Sequence, residues 1–89
     1  MTKIEYRKEK RVESIKNTII PAIFYEFIEG IWTKQEALAL LKKWYETAKS
    51  MAPKGTDLTE LTEAYEYYKE RIKEFEETER WYIIGITSY

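Results

Sequence analysis

Glu63, Glu66, Glu70, Glu74 and Glu77 recur at steps of three and four, so a helix would set all five carboxylates along one face. Such a row could do acid–base chemistry, hold a divalent cation or dock on a basic partner. Acid–base catalysis needs two groups whose surroundings drive their pKa values apart, and no such pair stands out. The chain has no His and no Cys, so the commonest general base, the commonest transition-metal ligand, thiolate sites and disulfides are all missing. The Glu-x-x-His pattern of di-iron bundles cannot occur. Ser14, Ser50 and Ser88 have no imidazole to activate them, and Gly30, Gly55 and Gly85 are too scattered for a phosphate-binding loop. The expectation is a protein without enzymatic activity, metal or cofactor.

Docking chemistry is better represented. The acidic ridge suits a basic partner, although the blander alternative is a solvated outer face softened by Lys69, Lys73 and Arg80. Tyr67 points away from its neighbours Tyr65 and Tyr68, either as an aromatic contact beside the ridge or as an incidentally exposed ring. At the other end of the chain, Lys3, Arg7 and Arg11 share one helix face, with Lys10 beside them, and could touch phosphates. Glu5, Glu9 and Glu13 interleave with these bases, and the chain carries a net charge of −1. A nucleic-acid binder shows a stronger basic footprint. The alternative is a solvated helix with pairs such as Glu5–Lys8 and Glu13–Lys16. Charge is nonetheless polarised. Residues 1–16 hold six Lys/Arg against three Glu, whereas residues 57–89 hold nine acids against four bases.

A third feature is the stretch W-Y-I-I-G-I-T-S-Y, Trp81 to Tyr89, where charge stops and apolar residues run together. Trp81, Ile83 or Ile84 could cap the bundle's own open end. Alternatively, Trp81–Ile86 is an extended strand with no partner in its own chain, an edge that invites pairing with another copy or another protein.

Three helices must position these groups. Leu58, Leu61, Tyr65, Tyr68, Ile72 and Phe75 form the seam of a third helix over about residues 58–80, started by Asp57 or Thr59 with a possible Asp57/Glu60 capping box. Leu38, Leu41, Tyr45 and Ala48, flanked by Ala37 and Trp44, form the seam of a second over about 34–51. It opens on the capping box Thr33/Glu36 and closes before Pro53 and Gly55. The first helix spans about 3–29 and stops at Gly30. It carries two rotated stripes, Val12/Ile15/Ile19 and Ile20/Phe24/Phe27/Ile31, with Pro21 between them as the expected kink.

Short connections make consecutive helices antiparallel. The fold expected is an all-α, up-down-up three-helix bundle of one domain, residues 1–89, with the tail from residue 81 emerging near Ile28, Ile31 and Trp32. The first helix, at roughly 40 Å against roughly 27 Å for the second, overhangs the bundle at its amino terminus. The tail and that overhang sit at opposite ends, so they would meet only between two copies in an antiparallel dimer. Met1–Arg11 is charged throughout, and Thr18–Ile28 is short of the about 20 apolar residues of a membrane span, so a cytoplasmic protein is expected. A single Asn, a single Gln and no Cys beside abundant Glu and Lys resemble the composition of proteins from hot habitats, and a virus or mobile element of such a host is the source expected. An AT-rich mesophile is the competing source.

The function expected is a small protein–protein interaction module, an adaptor or inhibitor, homodimeric. Its contacts would be Glu63, Glu66, Tyr67, Glu70, Glu74, Glu77, Trp81, Ile83 and Ile84, and its partner itself or a protein with a basic or apolar surface. The alternative is a nucleic-acid-binding dimer using Lys3, Arg7, Lys10 and Arg11. A structural assembly subunit is the third.

Overall fold

The computed structural model describes residues 2–75. It is an all-α helical bundle of three rods. The first rod is continuous from Lys3 to Ile28: α1 (Lys3–Ser14), a π-helical segment (Ile15–Ile19) and α2 (Ile20–Ile28). The second and third rods are α3 (Lys34–Met51) and α4 (Thr59–Glu74).

The π segment explains why the sequence shows two stripes on one rod. The step from Ile15 to Ile20 is five residues, which in a regular α-helix would throw the face about 140° out of line. In the structure the Ile20 N–H donates to the Ile15 carbonyl, a five-residue closure that makes the step nearly one full turn. Val12 and Ile15 before it and Ile20, Ile23, Phe24 and Phe27 after it are all buried on one core face. Pro21 follows directly. It has no N–H to donate and its ring crowds the preceding turn, so the irregularity expected at proline takes the form of a widened turn just upstream, and the rod does not break. Ile31, expected to close the second stripe, is 54% exposed. Gly30 at φ 88° ends the rod, with Gly30 N–H on the Phe27 carbonyl and Ile31 N–H on the Glu26 carbonyl, and this turn swings Ile31 outward.

The caps follow local chemistry. Thr33 and Glu36 make both bonds of the capping box, at 3.1 Å and 3.0 Å. Thr2 caps α1 through the Glu5 N–H. The start of α4 differs from expectation. Asp57 accepts from both the backbone N–H and the hydroxyl of Thr59, at 2.9 and 2.6 Å, and these bonds hold its carboxyl below the usual range. Glu60 does not complete a capping box, because its carboxylate is drawn 2.6 Å from Lys16 of the π segment. Lys16 is therefore not paired with Glu13, which sits 3.7 Å from Lys10, and Glu5–Lys8 is not among the ion pairs of the described residues.

Direction is fixed by contacts at one end of the bundle. Phe27 and Phe75 meet edge to face at 5.4 Å, and Lys34 donates to the Lys73 carbonyl at 2.9 Å, so α4 finishes beside the α2–α3 turn. The expected seams face inward: Ala37, Leu41 and Ala48 from α3, Leu61 and Ile72 from α4 and Phe75 just beyond it are buried, and Leu38, Trp44, Tyr45, Leu58, Tyr65 and Tyr68 pack half-buried against them. α4 ends at Glu74, short of the expected end near residue 80, because Phe75 turns extended at ψ 126°. The rest of that expected helix, with Glu77 and the tail, lies outside the described residues.

Candidate interaction surfaces

A concavity lies between α1 and the last two turns of α3. Arg7, Lys10, Arg11 and Ser14 fall at helical steps along one face of α1 and line one wall. Trp44 and Met51, two turns apart on α3, line the other, and Ile15 and Ile19 form the floor of a groove of about 730 Å³. It runs on into a recess of about 310 Å³ lined by Ile4, Arg7, Lys8, Arg11 and Met51. Ile4 is 66% exposed there. The floor is apolar, the rim holds four cations, and among the described residues no carboxylate lines either part. Among the described residues, Arg7, Lys8 and Arg11 have no ion-pair partner, while Lys10 has Glu13.

Three of the four bases expected to face phosphate, Arg7, Lys10 and Arg11, thus share the groove, and Lys3 lies outside it. The apolar half was not foreseen. Trp44, expected beside the seam of the second helix, is half-buried against the core and also forms a wall of the groove.

A second surface joins α2 and α4. The Arg71 guanidinium lies 5.3 Å over the Phe24 ring and 5.7 Å from the Tyr67 ring. Tyr25 meets Phe24 edge-on at 5.6 Å, and Tyr67 meets Tyr68 edge-on at 5.0 Å. Tyr25 is 59% and Tyr67 56% exposed, so two rings and a guanidinium stand together at the surface. Burial, with Tyr25 and Tyr67 adding to it, raises the Tyr68 hydroxyl above the usual tyrosine range. Tyr25 and Arg71 escaped sequence reasoning, since nothing in the sequence relates residues so far apart.

The ridge of α4 presents Glu63, Glu66, Glu70 and Glu74 to solvent as expected. Glu66 is engaged by Lys69 at 3.0 Å, and that hydrogen bond holds the Lys69 ammonium above its usual range. Glu77, Trp81, Ile83 and Ile84 lie outside the described residues. Glu9, Glu13, Asp57 and Glu60 line a crevice of about 290 Å³ between α1 and the start of α4, with Lys16 among them. Among the described residues no group of three or more acidic side chains converges on a point that could hold a metal ion, and no helix is long and apolar enough to cross a membrane.

No protein-family model, curated protein or solved structure matches this chain.

Proposed function

We propose that this chain is a protein–protein interaction module without a catalytic role, an adaptor or inhibitor that holds an acidic, apolar segment in the α1/α3 groove. The observation that carries this reading is the groove's composition. A chain of net charge −1 gathers four cations and, among the described residues, no carboxylate around an apolar floor. Apolar area there favours contact with side chains, and the rim selects for their charge. An amphipathic segment laid into such a groove is a recurrent mode of recognition. The Tyr25/Tyr67/Arg71 surface, of residue types enriched in binding hot spots, and the acidic ridge of α4 offer further contacts.

A peptide that alternates Glu and Leu at helical spacing tests the reading. Its labelled form should bind the full chain, and Arg7→Glu/Arg11→Glu should weaken binding about tenfold or more. Failure of the peptide to bind at low salt sinks the groove as a protein-binding site.

The second reading, a nucleic-acid-binding dimer, is favoured by one arrangement: Arg7, Lys10 and Arg11 stand across from the exposed edge of Trp44, cations beside an aromatic ring. Single-stranded DNA or RNA that binds in a steeply salt-dependent way, and competes with the peptide, would favour it. A structural assembly subunit, the third reading, would form open polymers rather than stop at two copies.

A further inference from the structure

The groove asks for an occupant with carboxylates at one end and large apolar side chains at the other. Its basic end, Arg7 and Arg11 around Met51, lies toward the start of the rod, and its apolar end, Ile15, Ile19 and Trp44, lies toward Pro21. From Arg7 to Ile19 the rod rises about 18 Å, a length that about six residues of extended chain cover. The sequence contains one stretch of matching chemistry: E-E-T-E-R-W-Y-I-I, residues 76–84, net acidic, with three carboxylates, then Arg80, then four apolar residues in a row. Resting on the reading of the groove as an interaction site, we propose that its occupant is residues 76–84 of a second copy of this chain.

Order argues for a second copy rather than the same one. Phe75 packs on Phe27, beyond the apolar end of the groove. From there the chain's own segment would enter carboxylates first, setting Glu76–Glu79 against Ile19 and Trp44 and carrying its apolar residues on toward the arginines. Glu79, four residues on, covers at most about 14 Å of the roughly 30 Å of rod between Phe27 and Arg7. A second copy can enter from the Arg7 end. Its carboxylates then meet the cations, and Trp81–Ile84 cover the apolar floor.

The test uses the full chain and two charge reversals, read by sedimentation velocity over a range of concentrations. The unmodified protein should self-associate. Arg7→Glu/Arg11→Glu and Glu76→Lys/Glu77→Lys/Glu79→Lys should each raise the dissociation constant about tenfold or more, because like charges then face each other. A 1:1 mixture of the two should associate as tightly as the unmodified chain, since both exchanged contacts become complementary. That rescue also shows that neither variant has merely failed to fold. An unmodified chain that stays monomeric, or a mixture no tighter than the variants alone, overturns the proposal. If the Glu/Leu peptide still binds in an Arg7- and Arg11-dependent way, only this occupant falls. If peptide binding is absent too, the groove reading falls with it.

Discussion

The rings of Tyr45 and Tyr65 lie parallel, 1° apart in tilt and 4.2 Å between centroids, and this stack ties the middle of α3 to the middle of α4. A lysine ammonium stands over each ring, Lys49 over Tyr45 and Lys69 over Tyr65, both at 5.1 Å. The Tyr45 hydroxyl is 3.0 Å from the Thr62 hydroxyl. Tyr45→Phe should cost about 1 kcal/mol by loss of that hydrogen bond. A double-mutant cycle of Tyr45→Leu and Tyr65→Leu, read by thermal or urea unfolding, should show a coupling of about 0.5–1.5 kcal/mol. Additive losses would mean that the stack contributes nothing beyond burial.

Leu41 is fully buried where α3 faces both other rods. Leu41→Ala should destabilise by about 2–5 kcal/mol, enough to threaten folding in a chain this small. Ile4→Ala, at a position 66% exposed, should change stability by no more than about 0.5 kcal/mol. The contrast in urea midpoints checks the assignment of core and groove. Comparable losses at the two sites would contradict it.

The capping box makes a graded prediction. Thr33→Ala removes the side-chain acceptor for the Glu36 N–H and should cost about 1 kcal/mol. Glu36→Ala removes the reciprocal bond to the Thr33 N–H and should cost less, because that amide remains open to water. Helical circular dichroism during unfolding reads both. A larger loss for Glu36→Ala would mean that the cap acts mainly through charge at the helix start.

Asp57 gives a sign for acid. Its folded-state pKa is depressed by the Thr59 hydroxyl and amide, so its stabilising contribution is complete above the unfolded-state pKa and is lost as pH falls through the lower folded value. Asp57→Asn should therefore unfold more easily than the unmodified chain at neutral pH, and the two should converge in strong acid. A gap that stays constant down through the carboxylate range would show that the bonds do not depend on ionisation.

The three rods, the Thr33/Glu36 box and the Gly30 stop were readable from the sequence because each rests on residues within a few positions of one another. The end of α4 was not. The seam continues through Phe75, and no Gly or Pro marks the place where the backbone turns extended. The two stripes of the first rod face the core except for Ile31, yet their merger depends on one extra residue in a turn, which no periodicity displays. Lys16 was given a neighbour on its own helix, whereas its partner Glu60 is 44 positions away. The groove and the Tyr25/Tyr67/Arg71 surface share that property. The sequence identified Arg7 and Arg11, Trp44 and Tyr67 as side chains of interest, but opposing Arg7 to Met51 requires the packing of one rod on another.

The π segment also acts as a phase setting. Removing one exposed residue from it, such as Thr18, would leave the four-residue step of a regular α-helix, which also closes about one turn, so α1 and α2 would keep a common core face. Adding one residue would instead turn everything upstream by about 100° about the rod axis relative to everything downstream. The contacts of α2 with α3 and α4 would stay in place, while the arginines of α1 would swing away from Met51. Specificity at the groove would thus be re-aimed by one inserted residue, with every groove-lining side chain unchanged, which makes insertions at residues 15–19 the variation to look for among natural relatives.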